Sequence, residues 1–203
     1  MEKTFLIDSG HGGIIDGRYQ TAPKKMFLHE DGSIAMEGVL NRKVKNFVLG
    51  LGRDLGIRMI DICPTEVDVR ITTRANIVNA YCDELGTRNC LLIDLHSNAG
   101  KGEGTEIWTS PGPTMSDIYA SMFMDEYQRA FPDARVRKDL SDGDVDKESP
   151  FTMLTDTKCP SILPEWRFFD NPKDWEVMRK KSSQYEYAKM IINFAKSVLH
   201  KFS

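Results

Sequence analysis

Phe5-Leu6-Ile7-Asp8-Ser9-Gly10-His11-Gly12-Gly13 is a short apolar run that stops at a histidine among glycines. The run reads as a buried first strand. The glycines let the backbone turn sharply and approach a ligand closely. A second stretch repeats the arrangement: Leu91-Leu92-Ile93-Asp94-Leu95-His96-Ser97-Asn98-Ala99-Gly100. Two of the four histidines therefore close apolar strands. In open α/β sheets, ligands bind beyond the carboxyl ends of the strands, and two imidazoles at such ends suggest a metal.

Outward from these strands, helical and extended patterns alternate. Residues 14–33 are polar, with scattered Gly and Pro, and read as a long loop. Met36, Leu40, Val44, Phe47, Val48, Leu51 and Leu55 recur at helical spacing and predict a helix over 34–55, with Gly56 as its stop. A strand is expected at 57–62, ending before Pro64. Asp68 is a candidate cap for a helix over 69–85. Strands are expected at 90–95 and 104–109, and Ser116 as the cap of a helix over 117–130. Residues 132–150 carry alternating charges and read as an exposed surface loop. Residues 151–155 and 161–164 bracket another short strand, and Pro172 suits the first turn of a final helix reaching about 200. With no repeat and no linker, this order implies one α/β domain over 1–203. Its sheet is expected to be mostly parallel and twisted, with helices on both faces.

A chain of 203 residues is long enough for a real core, and its net charge of −3 is mild. No basic stripe argues for nucleic acid, and no apolar stretch approaches the roughly 20 residues a membrane span needs. No basic region followed by a long apolar one marks a signal peptide. Cys63, Cys82, Cys90 and Cys159 form no close pair, against a zinc ribbon. Cys63, Cys90 and Cys159 lie in or beside apolar runs and read as reduced core thiols. His29 and His200 read as solvent residues.

A hydrolytic zinc site commonly has three protein ligands and an open position for water. Glu37, expected near the start of the first long helix, is the choice of third ligand beside His11 and His96. From spacing alone it reads first as a favourable charge at a helix N-terminus. Glu165 follows the apolar run Ile162-Leu163-Pro164. It is either a carboxylate that moves a proton beside the metal or a surface acid next to Trp166. Asp94 falls on the same side of its strand as His96 and is a candidate acceptor behind that imidazole. Asn98 is a candidate substrate contact or a turn residue, and Arg74 a candidate partner for a peptide carboxylate or an exposed helix charge.

At this point the chain resembles the zinc-dependent N-acetylmuramoyl-L-alanine amidases of the amidase-3 family. The resemblance rests on Gly10–Gly13, on Glu37 followed by Asn41, and on Arg70 and Arg74. It continues through His96-Ser97-Asn98-Ala99 and Gly104-Thr105-Glu106. It closes on the stretch from Met153-Leu154 through Pro160 and Ile162-Leu163-Pro164-Glu165 to Phe168 and Asn171. The motifs fall in the family's order over nearly the whole chain. The resemblance implies Zn²⁺ on His11, Glu37 and His96, with Glu165 as catalytic carboxylate. It implies a peptidoglycan substrate, cut at the amide joining the lactyl group of N-acetylmuramic acid to L-alanine. Asp94, Pro164 and the run Glu165-Trp166-Arg167-Phe168 depart from the family's usual residues. A zinc peptidase or deacylase on another substrate, and a catalytically silent wall-binding module, are the rival readings. The chain is expected to act on the wall after release from the cytoplasm, as a phage lysin does, or after secretion with its leader removed.

Overall fold

The computed structural model describes residues 3–141 and 143–202. In chain order the elements are β1 (Thr4–Asp8), β2 (Ile14–Ile15), β3 (Arg18–Tyr19), β4 (Met26–Leu28), β5 (Ile34–Met36) and α1 (Glu37–Asp54). Next come β6 (Met59–Asp61), α2 (Ile71–Leu85), β7 (Cys90–Asp94), β8 (His96–Asn98), β9 (Glu106–Thr109) and α3 (Met115–Ala130). The chain closes with β10 (Lys147–Glu148), α4 (Thr152–Thr155), β11 (Ser161–Phe168), α5 (Pro172–Met178) and α6 (Lys181–Lys201).

The main sheet has the order β10-β9-β11-β7-β1-β6, with β8 paired to β11. All its pairings are parallel except β11 with β9. Strand alternation divides the core. Phe5, Ile7, Leu91 and Ile93 pack with residues of α1, α3 and α6, including Val48, Phe123 and Phe194. Leu6, Cys90 and Leu92 face the other way, toward Val78 and Cys82 of α2 and Met153 of α4. Because both faces of the central strands are buried, those strands are continuously apolar rather than alternating. The expected mostly parallel sheet with helices on both faces is what the chain forms.

Several boundaries differ from the sequence expectation. Residues 34–36 belong to β5, which pairs antiparallel with β4, so α1 starts at Glu37. Within the supposed loop, β2 pairs with β3 and β4 with β5, making two short hairpins. The inward face of α1 is Glu37, Leu40, Asn41, Val44, Lys45, Val48 and Gly52; Leu55 lies beyond the helix and is 50% exposed. Asp68 does not cap α2, whose N-cap is Arg70; it instead accepts from Thr21 Oγ1 at 2.8 Å. Thr114, not Ser116, caps α3, through a capping box with Asp117. Residues 152–155 are helical, the following strand runs on to Phe168, and Pro172 opens a short helix separate from α6.

His29 is not a solvent residue: it is buried, stacked on Trp175 at 4.9 Å, with Nε2 3.0 Å from the Phe169 carbonyl oxygen. His200 is exposed near the end of α6. All four cysteines are buried free thiols, Cys82 among them. The excursion at 132–150 is largely exposed but not detached. Val136 bridges to Thr105, β10 pairs with β9, and Asp146 is buried.

Candidate metal centre

His11 lies just past β1, and its own backbone is left-handed, with φ of 66°. Few non-glycine residues adopt that conformation, and such strain persists only where the surroundings impose it. Arg74 imposes it here. Its guanidinium donates to Asp8 Oδ1 at 2.6 Å, to the His11 carbonyl oxygen at 2.8 Å and to the Val69 carbonyl oxygen at 3.0 Å. Arg74 is 3% exposed, so its donors are committed to holding this loop rather than offered to a substrate. Gly10 is required by close approach, since a Cβ there would lie 2.2 Å from Cε1 of His96.

Glu37 enters from α1. Its backbone N–H donates to the Lys25 carbonyl oxygen at 2.9 Å, and a Cβ on the neighbouring Gly38 would lie 2.0 Å from the Gly12 carbonyl oxygen. The helix start is therefore pressed directly onto the glycine loop. Glu37 Oε1 lies 2.9 Å from His96 Nδ1 and 3.2 Å from His11 Nε2. The ligand-type atoms of His11, Glu37 and His96 all fall within 4.8 Å of one another. The two rings stand edge to face, with centroids 5.1 Å apart.

Burial alone would raise the Glu37 carboxyl, but hydrogen bonds and charge from His11 and His96 outweigh it and hold the group well below the usual carboxylate range. His96 is half-buried, and its desolvation disfavours the charged form, yet Asp94 and Glu37 on its two sides raise it well above the ordinary imidazole value. Asp94 Oδ1 lies 3.3 Å from His96 Nε2.

β11 brings the fourth residue. Glu165 is in register with His96 on one side and with Glu106 on the other. Its Oε2 is buried without a hydrogen-bond partner. Burial pushes its carboxyl up to about 8, with Glu37 and Glu106 adding to the rise and His96 and Lys25 opposing it.

Asn98 is tied to the neighbouring strand and turn. Its Nδ2 donates to Glu106 Oε1 at 2.7 Å, and its Oδ1 accepts from Ala99 N at 2.8 Å. Glu106 Oε2 in turn accepts from Arg137 Nε at 2.8 Å and Lys147 Nζ at 2.7 Å. The charged excursion is thus tied to the strand beside Glu165. Neither this network nor Lys25, whose Nζ lies 3.2 Å from Glu37 Oε2, was visible in residue spacing. The distances along the chain are long, and lysines in a polar loop carry no local signal.

Two imidazole nitrogens and one carboxylate oxygen within 4.8 Å of one another are a donor set able to hold a metal ion. A cleft of about 300 Å³ opens onto His11, His96, Asp8 and Asp94.

The family model described as N-acetylmuramoyl-L-alanine amidase, Amidase_3, matches residues 5–197. The chain belongs to this amidase family. The chain is 27% identical over 182 residues to the N-acetylmuramoyl-L-alanine amidase CwlM of Bacillus licheniformis, a match covering 88% of the chain and 61% of CwlM. It is 26% identical over 193 residues to the endolysin of Bacillus phage SPP1, covering 90% of the chain and 60% of that protein. Among solved structures, the apo N-acetylmuramyl-L-alanine amidase Ami1 of Mycobacterium abscessus matches with a TM-score of 0.76 at 18% identity, covering 97% of this chain and 98% of that one. The N-acetylmuramoyl-L-alanine amidase of Clostridium difficile 630 matches with a TM-score of 0.74 at 21% identity, covering 100% and 99%. These structural likenesses establish the shared fold. No helix among the described residues is long and apolar enough to cross a membrane.

Proposed function

We propose that this amidase is a zinc-dependent peptidoglycan hydrolase that cuts the amide between the lactyl group of N-acetylmuramic acid and L-alanine. The observation carrying this reading is the convergence of His11, Glu37 and His96 beside Glu165. Family membership and the resemblance to CwlM and the phage endolysin support the substrate. His11 Nε2, Glu37 Oε1 and His96 Nδ1 would hold the ion. When bound, zinc supplies a Lewis acid that polarises the scissile carbonyl and lowers the pKa of a water to about 7.

The side chains do the rest. Asp94, whose Oδ1 lies 3.3 Å from His96 Nε2, would accept from that nitrogen and leave Nδ1 for the ion. Arg74 and Asp8 lock the loop that carries His11. Glu165 takes a proton from the attacking water and passes it to the departing alanine nitrogen.

The test is digestion of purified peptidoglycan, with labelling of new termini. Free alanine amines on an intact glycan support the reading. New reducing ends, or cuts within the stem peptide, overturn it. Chelation should abolish the release, and added zinc should restore it. The likeness to an endolysin favours delivery to the wall by release from the cytoplasm at lysis.

A further inference from the structure

Lys25 is held against Glu37 by its backbone as well as its charge. Its φ of 58° is left-handed, a conformation costly for a lysine. Its carbonyl oxygen accepts from Glu37 N at 2.9 Å and from Tyr19 Oη at 3.1 Å. Tyr19 Oη also accepts from Gly38 N at 3.0 Å, so the turn carrying Lys25 is clamped onto the first residues of α1. From there the ammonium reaches 3.2 Å from Glu37 Oε2, the carboxylate oxygen facing away from both imidazoles. The Lys25 side chain is 43% exposed whereas Glu37 is fully buried. An ammonium has three donors, and Glu37 occupies only one direction.

Holding the metal is a poor reason for this placement. A fixed positive charge beside a ligand carboxylate repels a dication and weakens its binding. Neutralising Glu37 is also unnecessary, since two imidazoles already share its charge. The group that gains from a fixed cation here is one that becomes negative only during reaction. Amide hydrolysis makes such a group. As water oxygen bonds to the carbonyl carbon, the C=O π pair moves onto the carbonyl oxygen and the water proton goes to Glu165. The pair then returns, the C–N bond breaks and the proton leaves on nitrogen.

We propose that Lys25 is a catalytic residue whose ammonium donates a hydrogen bond to the carbonyl oxygen of the scissile amide as that oxygen becomes an oxyanion. Lys25 keeps its own proton throughout. The assignment rests on the amidase reading above.

The experiment compares wild type, Lys25→Met and Lys25→Arg as zinc-loaded enzymes on a soluble N-acetylmuramoyl-peptide. It records kcat, KM, zinc content and zinc affinity against a competing chelator. For Lys25→Met the expected result is a kcat lower by roughly 10²–10³-fold, the usual loss on removing one oxyanion donor, with KM changed only a few-fold. Zinc content should match wild type, and zinc affinity should be equal or tighter. Lys25→Arg should recover part of the kcat. A wild-type kcat in Lys25→Met, a raised KM at unchanged kcat, or a loss of zinc each overturns the assignment while leaving an active wild type, and so the amidase reading, intact. A zinc-loaded wild type that releases no alanine amine overturns both.

Discussion

Asp94 Oδ1 sits 3.3 Å from His96 Nε2, on the far side of the ring from the Nδ1 that meets Glu37 at 2.9 Å. The consecutive strands β7 and β8 thus supply a carboxylate and a ligand-type imidazole that face each other. Asp94→Ala should leave the fold intact and weaken zinc binding about 10–100-fold. His11→Ala and His96→Ala should go further and largely empty the site. Zinc content after dialysis and affinity in a chelator competition check both claims; a wild-type affinity in Asp94→Ala would show that the ring is oriented by other contacts.

Glu165→Gln separates chemistry from binding. The variant keeps the side chain's size but cannot accept a proton. Zinc should stay bound, and turnover should fall by about 10²–10⁴-fold. Loss of zinc would instead make Glu165 a ligand, and unchanged turnover would remove it from the reaction. Both quantities should be measured on one preparation.

The helix that delivers Glu37 is anchored through Leu40, which is 3% exposed, and not through Leu55, which is 50% exposed. Leu40→Ala should cost about 2–5 kcal/mol. Leu55→Ala should stay within about 0.5 kcal/mol of wild type. Urea midpoints with equal slopes would show the contrast, and similar midpoints would mean the inward face of α1 has been misassigned.

Asp146 should make stability fall as pH rises. It is 2% exposed, with Oδ2 accepting from Thr109 Oγ1 at 2.5 Å. Burial, with Asp144 and Asp117 adding, pushes its carboxyl from 3.8 up to about 7. The folded state therefore binds the proton more tightly than the unfolded chain. The stability this contributes is complete below about pH 4 and is lost as pH rises through 7. Asp146→Asn keeps the acceptor for Thr109 and cannot ionise. Its melting temperature relative to wild type should rise between pH 4 and 7, and a constant difference across that window would refute the mechanism.

Much of the centre was legible because its parts sit at element boundaries. His11 and His96 each follow an apolar run, and a strand that ends at a polar residue presents that residue to a cleft. Glu37 and Glu165 were legible as candidates, but their bland alternatives could be weighed only with partners in view. The misplaced start of α1 has a specific cause. Met36 continues the helical spacing, yet β4 offers residues 34–36 a full set of cross-strand partners, and pairing prevails over periodicity. Thr114 was passed over because the capping signal is reciprocal and requires Asp117 as well.

By itself the sequence determined the layering of this protein. Continuous apolar strands must be covered on both faces, and alternation divides Phe5 and Ile7 from Leu6 whatever the loops do. It also determined that imidazoles would stand where those strands end. The tertiary structure decided which charges meet. Arg74 turned inward to Asp8, Glu106 became the anchor for Arg137 and Lys147, and Lys25 was set against Glu37. Such pairings join residues far apart in the chain, and their strength depends on distance and burial, which no local pattern of residues encodes.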